Sequence, residues 1–132
     1  MIDLGALLRV PCVEVEMGFD ISPDGQRAAF SWNPDGRWEI YEIFLFIGSD
    51  SSKNPEPLPR LVSKGPGGKF HPRYSPDGKA LAFVVDFDGR ENFHILLYDF
   101  ETTHQTDLTP RVTGALQASF SWSPDGKQIA YI

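Results

Sequence analysis

The sequence is short of several things, and each shortage removes a class of protein. It has a single cysteine, Cys12, in 132 residues, so neither a disulfide framework nor a cysteine-based zinc site is available. Positive charge is scarce: 12 Lys+Arg stand against 18 Asp+Glu, for a formal net charge of −6. A non-specific nucleic-acid binder needs a basic stripe to displace counterions from phosphates, and this balance argues against one. No apolar run approaches the ~20 residues of a spanning helix, so no membrane partner is expected. The opening MIDLGALLRVPCVEVE lacks both the basic start and the long apolar stretch of a secretory leader, which predicts a cytoplasmic chain. Helical periodicity is also scarce. The best candidate is a short stretch from Asp3 to Val10, capped by Asp3 and ended by Pro11.

What is present is a repeat. Ser-Pro-Asp-Gly occurs three times, as Ser22, Pro23, Asp24, Gly25; as Ser75, Pro76, Asp77, Gly78; and as Ser123, Pro124, Asp125, Gly126. A variant, Asn33-Pro34-Asp35-Gly36, lies inside the first unit. An aromatic or apolar run precedes each turn, and a small-apolar strand follows it: Arg27–Phe30, Ala80–Phe83 and Gln128–Tyr131. Pro presets φ at the second position of such a turn, Asp tolerates the third, and Gly accepts positive φ at the fourth. The Ser hydroxyl is placed to bond a nearby backbone N–H and hold the corner. The spacing therefore predicts antiparallel hairpins.

The second unit parses into four strands, Lys69–Tyr74, Leu81–Asp86, Phe93–Phe100 and Gln105–Leu108. The first unit follows the same plan through Arg27–Trp32, Trp38–Phe46 and Arg60–Ser63. Four short antiparallel strands in ~40–50 residues make one propeller blade. The expected fold class is all-β, a partial β-propeller of about two and a half blades. Residues 1–16 form an N-terminal segment, 17–64 the first blade, 65–112 the second, and 113–132 the first half of a third. The aromatics Trp32, Trp38, Phe83, Phe93, Tyr98, Phe120 and Trp122 read as packing between blades rather than as a stacking platform for bases or sugars.

The second unit, RYSPDGKALAFVVDFDGRENFHILLYDFETTHQTDLTP, resembles the TolB-type β-propeller repeat. The same blade serves the propeller of prolyl oligopeptidase family serine peptidases. The string DGRENFHILLYD is most similar to acylaminoacyl-peptidase-like members. That resemblance implies an N-terminal propeller segment that gates a hydrolase domain. It also leaves open a TolB-like protein-binding module, or a short chain whose blades assemble between copies. Many unrelated proteins use this blade, so it speaks to fold more than to function.

Chemistry is sparse. The sequence contains no Gly-x-Ser-x-Gly nucleophile elbow, so no catalytic residue is assigned and the chain is not expected to hydrolyse peptides by itself. Asp86-Phe87-Asp88-Gly89 with Glu91 has Gly fourth and Glu sixth, whereas a calcium loop of the EF-hand type needs them sixth and twelfth, so it reads as a hairpin turn. His71, His94 and His104 lack further ligands at zinc spacing. Gly65-Pro66-Gly67-Gly68-Lys69 fails the P-loop pattern, since Phe70 follows the lysine, and reads as a link between blades. No cofactor or metal is expected. The expected partners are the remaining blades and hydrolase domain of a longer chain, or another protein. A propeller needs about 4–8 blades to close, so the chain is expected to be a piece of something longer, with an edge strand near Ile132 open to oligomerisation.

Overall fold

The computed structural model describes residues 12–14, 16, 18–45, 58–112 and 116–132. Among these residues ten strands form three antiparallel sheets. The first sheet is a meander of β1 (Phe19–Ile21), β2 (Arg27–Trp32), β3 (Glu39–Phe44) and β4 (Arg60–Leu61). The second repeats it with β5 (Gly68–Tyr74), β6 (Ala80–Asp86), β7 (Phe93–Asp99) and β8 (Gln105–Asp107). The third is the hairpin of β9 (Phe120–Trp122) and β10 (Ile129–Tyr131). The architecture is all-β, a partial propeller of four-stranded blades. The candidate helix at Asp3–Val10 lies outside the described residues, as does Phe46. Val13 makes an isolated antiparallel bridge to Trp32, so it extends the first sheet and does not reach the edge of β10.

The alternation of side chains places the core between the sheets. In β2 and β3, Ala29 and Ile40 point one way and are fully buried, joined by Val62. They pack on the facing side of the second sheet, formed by Tyr74, Leu81, Phe83, Val85, Leu96 and Tyr98. The opposite side of that sheet carries Ala82, Val84 and Ile95, which pack with Phe120 and the partly buried Trp122 and Ile129. Strand β6 therefore has a neighbour on both faces. That is why its run Leu81–Val85 is apolar at every position rather than at alternate ones. Burial of a side chain such as Phe83 contributes about 1.5–3 kcal/mol relative to leaving it in water.

Strand β5 carries the main irregularity. Its register against β6 slips between Phe70 and Arg73, which leaves one extra residue on the β5 side. His71 sits in this bulge at φ 54°, and Pro72 follows it. A proline with no N–H to donate is tolerated at a bulge, where the ladder is already interrupted.

Candidate interaction surface

The three Ser-Pro-Asp-Gly turns share one geometry. In each, the Gly N–H donates to the Ser carbonyl, at 2.8 Å for Gly25 and Gly78 and 2.9 Å for Gly126. Each Gly has φ of 70°, a conformation that costs an ordinary L-residue about 1–2 kcal/mol. The Ser hydroxyl donates to the Asp carboxylate, at 2.5 Å for Ser22–Asp24 and 2.6 Å for Ser75–Asp77 and Ser123–Asp125. The same hydroxyl accepts the N–H of the strand residue beyond the turn, Arg27, Ala80 or Gln128, at 2.9–3.0 Å. These bonds hold the carboxyls of Asp24, Asp77 and Asp125 below the usual aspartate value, the serine hydroxyl first and the backbone N–H second. All three aspartates are spent on their own turns.

The turns also stack. A methyl placed on Gly78 would lie 3.4 Å from the Pro23 ring, and one on Gly126 would lie 3.4 Å from the Pro76 ring. Arg27 ties the first pair further. Its guanidinium donates to the Gly78 carbonyl at 3.0 Å and lies over the rings of Tyr74 and Phe100, at 5.3 and 4.9 Å.

Between the first two sheets runs a buried polar seam that the sequence reading did not anticipate. Glu42, whose side chain is fully buried, accepts from Arg60 Nε at 2.7 Å, from the Tyr74 hydroxyl at 2.8 Å and from Arg27 Nη1 at 3.4 Å. Burial, and then the carboxylate beside it, push the Tyr74 hydroxyl far above the usual tyrosine value. Lys69 is completely buried. Its ammonium donates to Glu39 at 3.0–3.1 Å and to the Gly65 carbonyl at 2.5 Å, while Ser63 donates to the same Glu39 carboxylate. The link Gly65–Gly68 is thus fastened by the lysine that follows it.

Among the described residues, the other side of the first sheet has no such cover. The register aligns Phe19, Phe30, Tyr41 and Leu61 in one row across the four strands, with Ile21, Ala28 and Ile43 in the next. Phe19 is 58% exposed and Leu61 55% exposed. Trp32, Phe30 and Tyr41 form a half-buried aromatic group, with Trp32 edge-on to Tyr41 at 5.0 Å. The equivalent positions of the second sheet, Phe83, Val85 and Leu96, are buried by the first. A second opening, a groove of about 500 Å³, lies between β7–β8 and the third hairpin, lined by Ile95, Leu97, Leu108, Trp122, Ile129 and Tyr131 among others.

The histidines are dispersed. His94 Nδ1 lies 2.8 Å from Asp107 and edge-on to Phe87. His71 packs edge-on against Phe120 at 5.2 Å, where burial, and then Arg73, hold its pKa below the usual histidine value. His104 is exposed, and its N–H donates to the Thr102 hydroxyl. Among the described residues no group of three or more His, Cys, Asp or Glu is placed to hold a metal ion, and no helix is long and apolar enough to cross a membrane.

No family of known domains matches the chain. It is 28% identical over 118 residues to dipeptidyl-peptidase 5 of Porphyromonas endodontalis, across 86% of this chain and 16% of that protein. Among solved structures it is similar to TolB from Acinetobacter baumannii, with 32% identity and a TM-score of 0.65 over 86% of this chain and 25% of that one. It is also similar to a putative TolB from Agrobacterium tumefaciens, with 23% identity and a TM-score of 0.62 over 90% of this chain and 45% of that one. The chain therefore spans less than half the length of each of these relatives. The fold is that of a TolB-like partial β-propeller. The expected cytoplasmic location is corrected by the same likeness, because TolB homologues are characteristically periplasmic in their bacterial hosts. The physical reason is plain. A propeller blade looks alike in either compartment, and the missing features of residues 1–16 carry no compartment information about the folded blades.

Proposed function

We propose that this chain is a piece of a TolB-like β-propeller that acts as a non-catalytic protein-interaction module. In this reading residues 17–64 and 65–112 are blades, residues 113–132 open a third, and the Ser-Pro-Asp-Gly turns are the joints between them. The observation that supports it best is the apolar face of the first sheet, left open among the described residues, where exposed Phe19 and Leu61 adjoin half-buried Phe30, Trp32 and Tyr41. Contiguous exposed apolar surface of this kind marks association sites in folded proteins. The test is capture of proteins from a bacterial envelope fraction by the immobilised chain and by a Phe30→Ser, Tyr41→Ser variant. A protein retained by the first and lost by the second, at unchanged circular dichroism, is the expected result. Equal capture by both refutes the surface.

A second reading is favoured by the likeness to dipeptidyl-peptidase 5: the chain is the N-terminal propeller segment of a prolyl oligopeptidase-like peptidase, gating a hydrolase domain. A Gly-x-Ser-x-Gly elbow in the same reading frame beyond Ile132 is the observation that would choose it.

A further inference from the structure

The first strands of the three sheets meet at one short stretch of β5, from His71 to Tyr74. Towards the first sheet, Arg73 donates to the Phe19 carbonyl at 3.1 Å, and the Tyr74 N–H donates to the Asp20 carboxylate at 2.8 Å. Towards the third, the Trp122 indole N–H donates to the Arg73 carbonyl at 3.2 Å, and the His71 ring stands edge-on to Phe120 at 5.2 Å. The two junctions differ in chemistry. The first is crossed by the Lys69–Glu39 ion pair, by the Tyr74–Glu42 hydrogen bond and by a backbone bond from the Lys69 N–H to the Trp38 carbonyl at 3.0 Å. The second is apolar around its few polar contacts, and His71 lies in it.

The setting of His71 suits a neutral ring and no other. It occupies the bulge at φ 54°, ahead of the buried Pro72. Among the described residues its Nδ1 is the buried side-chain nitrogen that has no hydrogen-bond partner. The chain's own atoms close this nitrogen off from solvent, so its surroundings are the same whatever blades follow. Beside the bulge β6 brings Ala82 and Val84, and β9 brings Phe120 and Trp122, none of them charged; on β10, Tyr131 stands opposite Phe120. The charged groups that face the ring are Arg73 on its own strand and Asp20 on β1, whose carboxylate is engaged by the Tyr74 N–H. Burial and then Arg73 keep the ring neutral, against smaller pulls from the Phe120 backbone and Asp20. A proton on Nδ1 would create a buried donor with no acceptor and set a second positive charge beside Arg73.

We propose that His71 is a pH-operated latch between the second and third sheets. With the imidazole neutral, β9 is held against β5 through Phe120 and Trp122. On taking a proton the ring leaves the bulge for water, and its edge-on contact with Phe120 breaks. Trp122 then loses the Arg73 carbonyl, because Arg73 and His71 belong to the same shifting segment of β5. The first junction stays shut, since none of the contacts that cross it involves a histidine. Release comes as pH falls below about 6.5, the side on which a group held neutral in the fold takes up its proton. The inference goes beyond the interaction-module reading and does not depend on it. The latch lies between blades, whether those blades recognise a protein or cover a hydrolase domain.

The experiment is hydrogen exchange followed by NMR on the chain between about pH 7.5 and 5. The Trp122 indole N–H reports on the second junction and the Lys69 amide N–H on the first. After correction for the intrinsic pH dependence of exchange, the Trp122 indole should lose protection about tenfold across that range, while Lys69 keeps its own. The midpoint of the loss should coincide with the titration of the His71 ring protons. In His71→Phe, which keeps an aromatic edge for Phe120, the loss should disappear. In His94→Gln, which alters the histidine paired with Asp107, it should persist. Where His71→Phe does not fold, the shared midpoint in the wild type decides alone. Unchanged protection at Trp122, a midpoint apart from that of His71, or an equal loss at Lys69 overturns the proposal, as does a loss that survives in His71→Phe.

Discussion

Replacing Glu39 by Leu should destabilise the protein by about 3–5 kcal/mol, the cost of leaving a buried charge without its partner. The argument rests on Lys69, which has no exposed surface and whose ammonium is held by Glu39 at 3.0–3.1 Å and by the Gly65 carbonyl. Without the carboxylate, one carbonyl is left to hold a full charge with no water to share it. The reverse change, Lys69→Met, should cost less, about 1–3 kcal/mol, because Glu39 keeps Arg37 Nε at 2.7 Å and the Ser63 hydroxyl. The double variant removes both charges and substitutes apolar groups of similar volume. It should fall within about 1 kcal/mol of the wild type, so the two single costs are far from additive. Urea unfolding followed by tryptophan fluorescence measures all four proteins, against a total stability on the order of 5–15 kcal/mol. A double variant whose loss equals the sum of the singles refutes the reasoning, because the two charges would then not be answering each other.

Two further outcomes follow from the turns and the bulge. Gly25→Val and Gly78→Val share the strain of φ near 70°, about 1–2 kcal/mol, but only Gly78 has the Pro23 ring and the Arg27 guanidinium at 3.4 Å, so its variant should melt at a clearly lower temperature; equal melting temperatures would count against the stacked turns. His71 is held neutral in the fold, its pKa lowered by burial and then by Arg73, so the stability it contributes is full above the unfolded value of about 6.5 and is lost as pH falls through the lower folded value. Denaturant midpoints between pH 7.5 and 5 should therefore decline for the wild type and decline less for His71→Phe. That window lies above the range in which Asp24, Asp77 and Asp125 titrate, and identical slopes would exclude the histidine as the cause.

The blades were legible because their signals are local. A Ser-Pro-Asp-Gly string specifies its turn within four residues, and the apolar runs on either side can only pair with each other. Strand ends shifted by a residue or two, as at Gly68, Ala80 and Asp99, where pairing with a neighbour sets the boundary. The polar seam was illegible for the opposite reason. In EIYEIF, Glu39 and Glu42 stand three apart and so belong to opposite faces of the strand, and nothing in the string marks either as buried; both are, because Lys69, Arg27, Arg60 and Tyr74 reach them from elsewhere in the chain. Trp32 reads as core on the strength of its type, and only the register shows it on the uncovered face beside Tyr41. Nothing in His71-Pro72 announces a residue at positive φ, since the bulge is a property of how β5 and β6 pair.

Comparison of the two complete sheets separates what the repeat constrains from what it leaves free. Ser63 accepts the Ile40 N–H at 2.9 Å, and Thr109 accepts the Ile95 N–H at the same distance, so a hydroxyl at the end of the fourth strand belongs to the blade itself. The turns stack identically whether the interface behind them is charged or apolar. Where the first sheet has Arg27 and Glu42, the second has Ala80 and Leu97, and the blades still meet through Ala29 and Ala82 in the same way. The turn and the small residue four positions beyond its glycine set the spacing between blades, and the side chains around them fill that spacing by whatever chemistry the neighbour offers. The positions that vary between the sheets, such as Phe30, Trp32 and Tyr41, are the ones free to carry the proposed recognition of another protein, whereas substitutions in Ser-Pro-Asp-Gly would act on the stability of the blade.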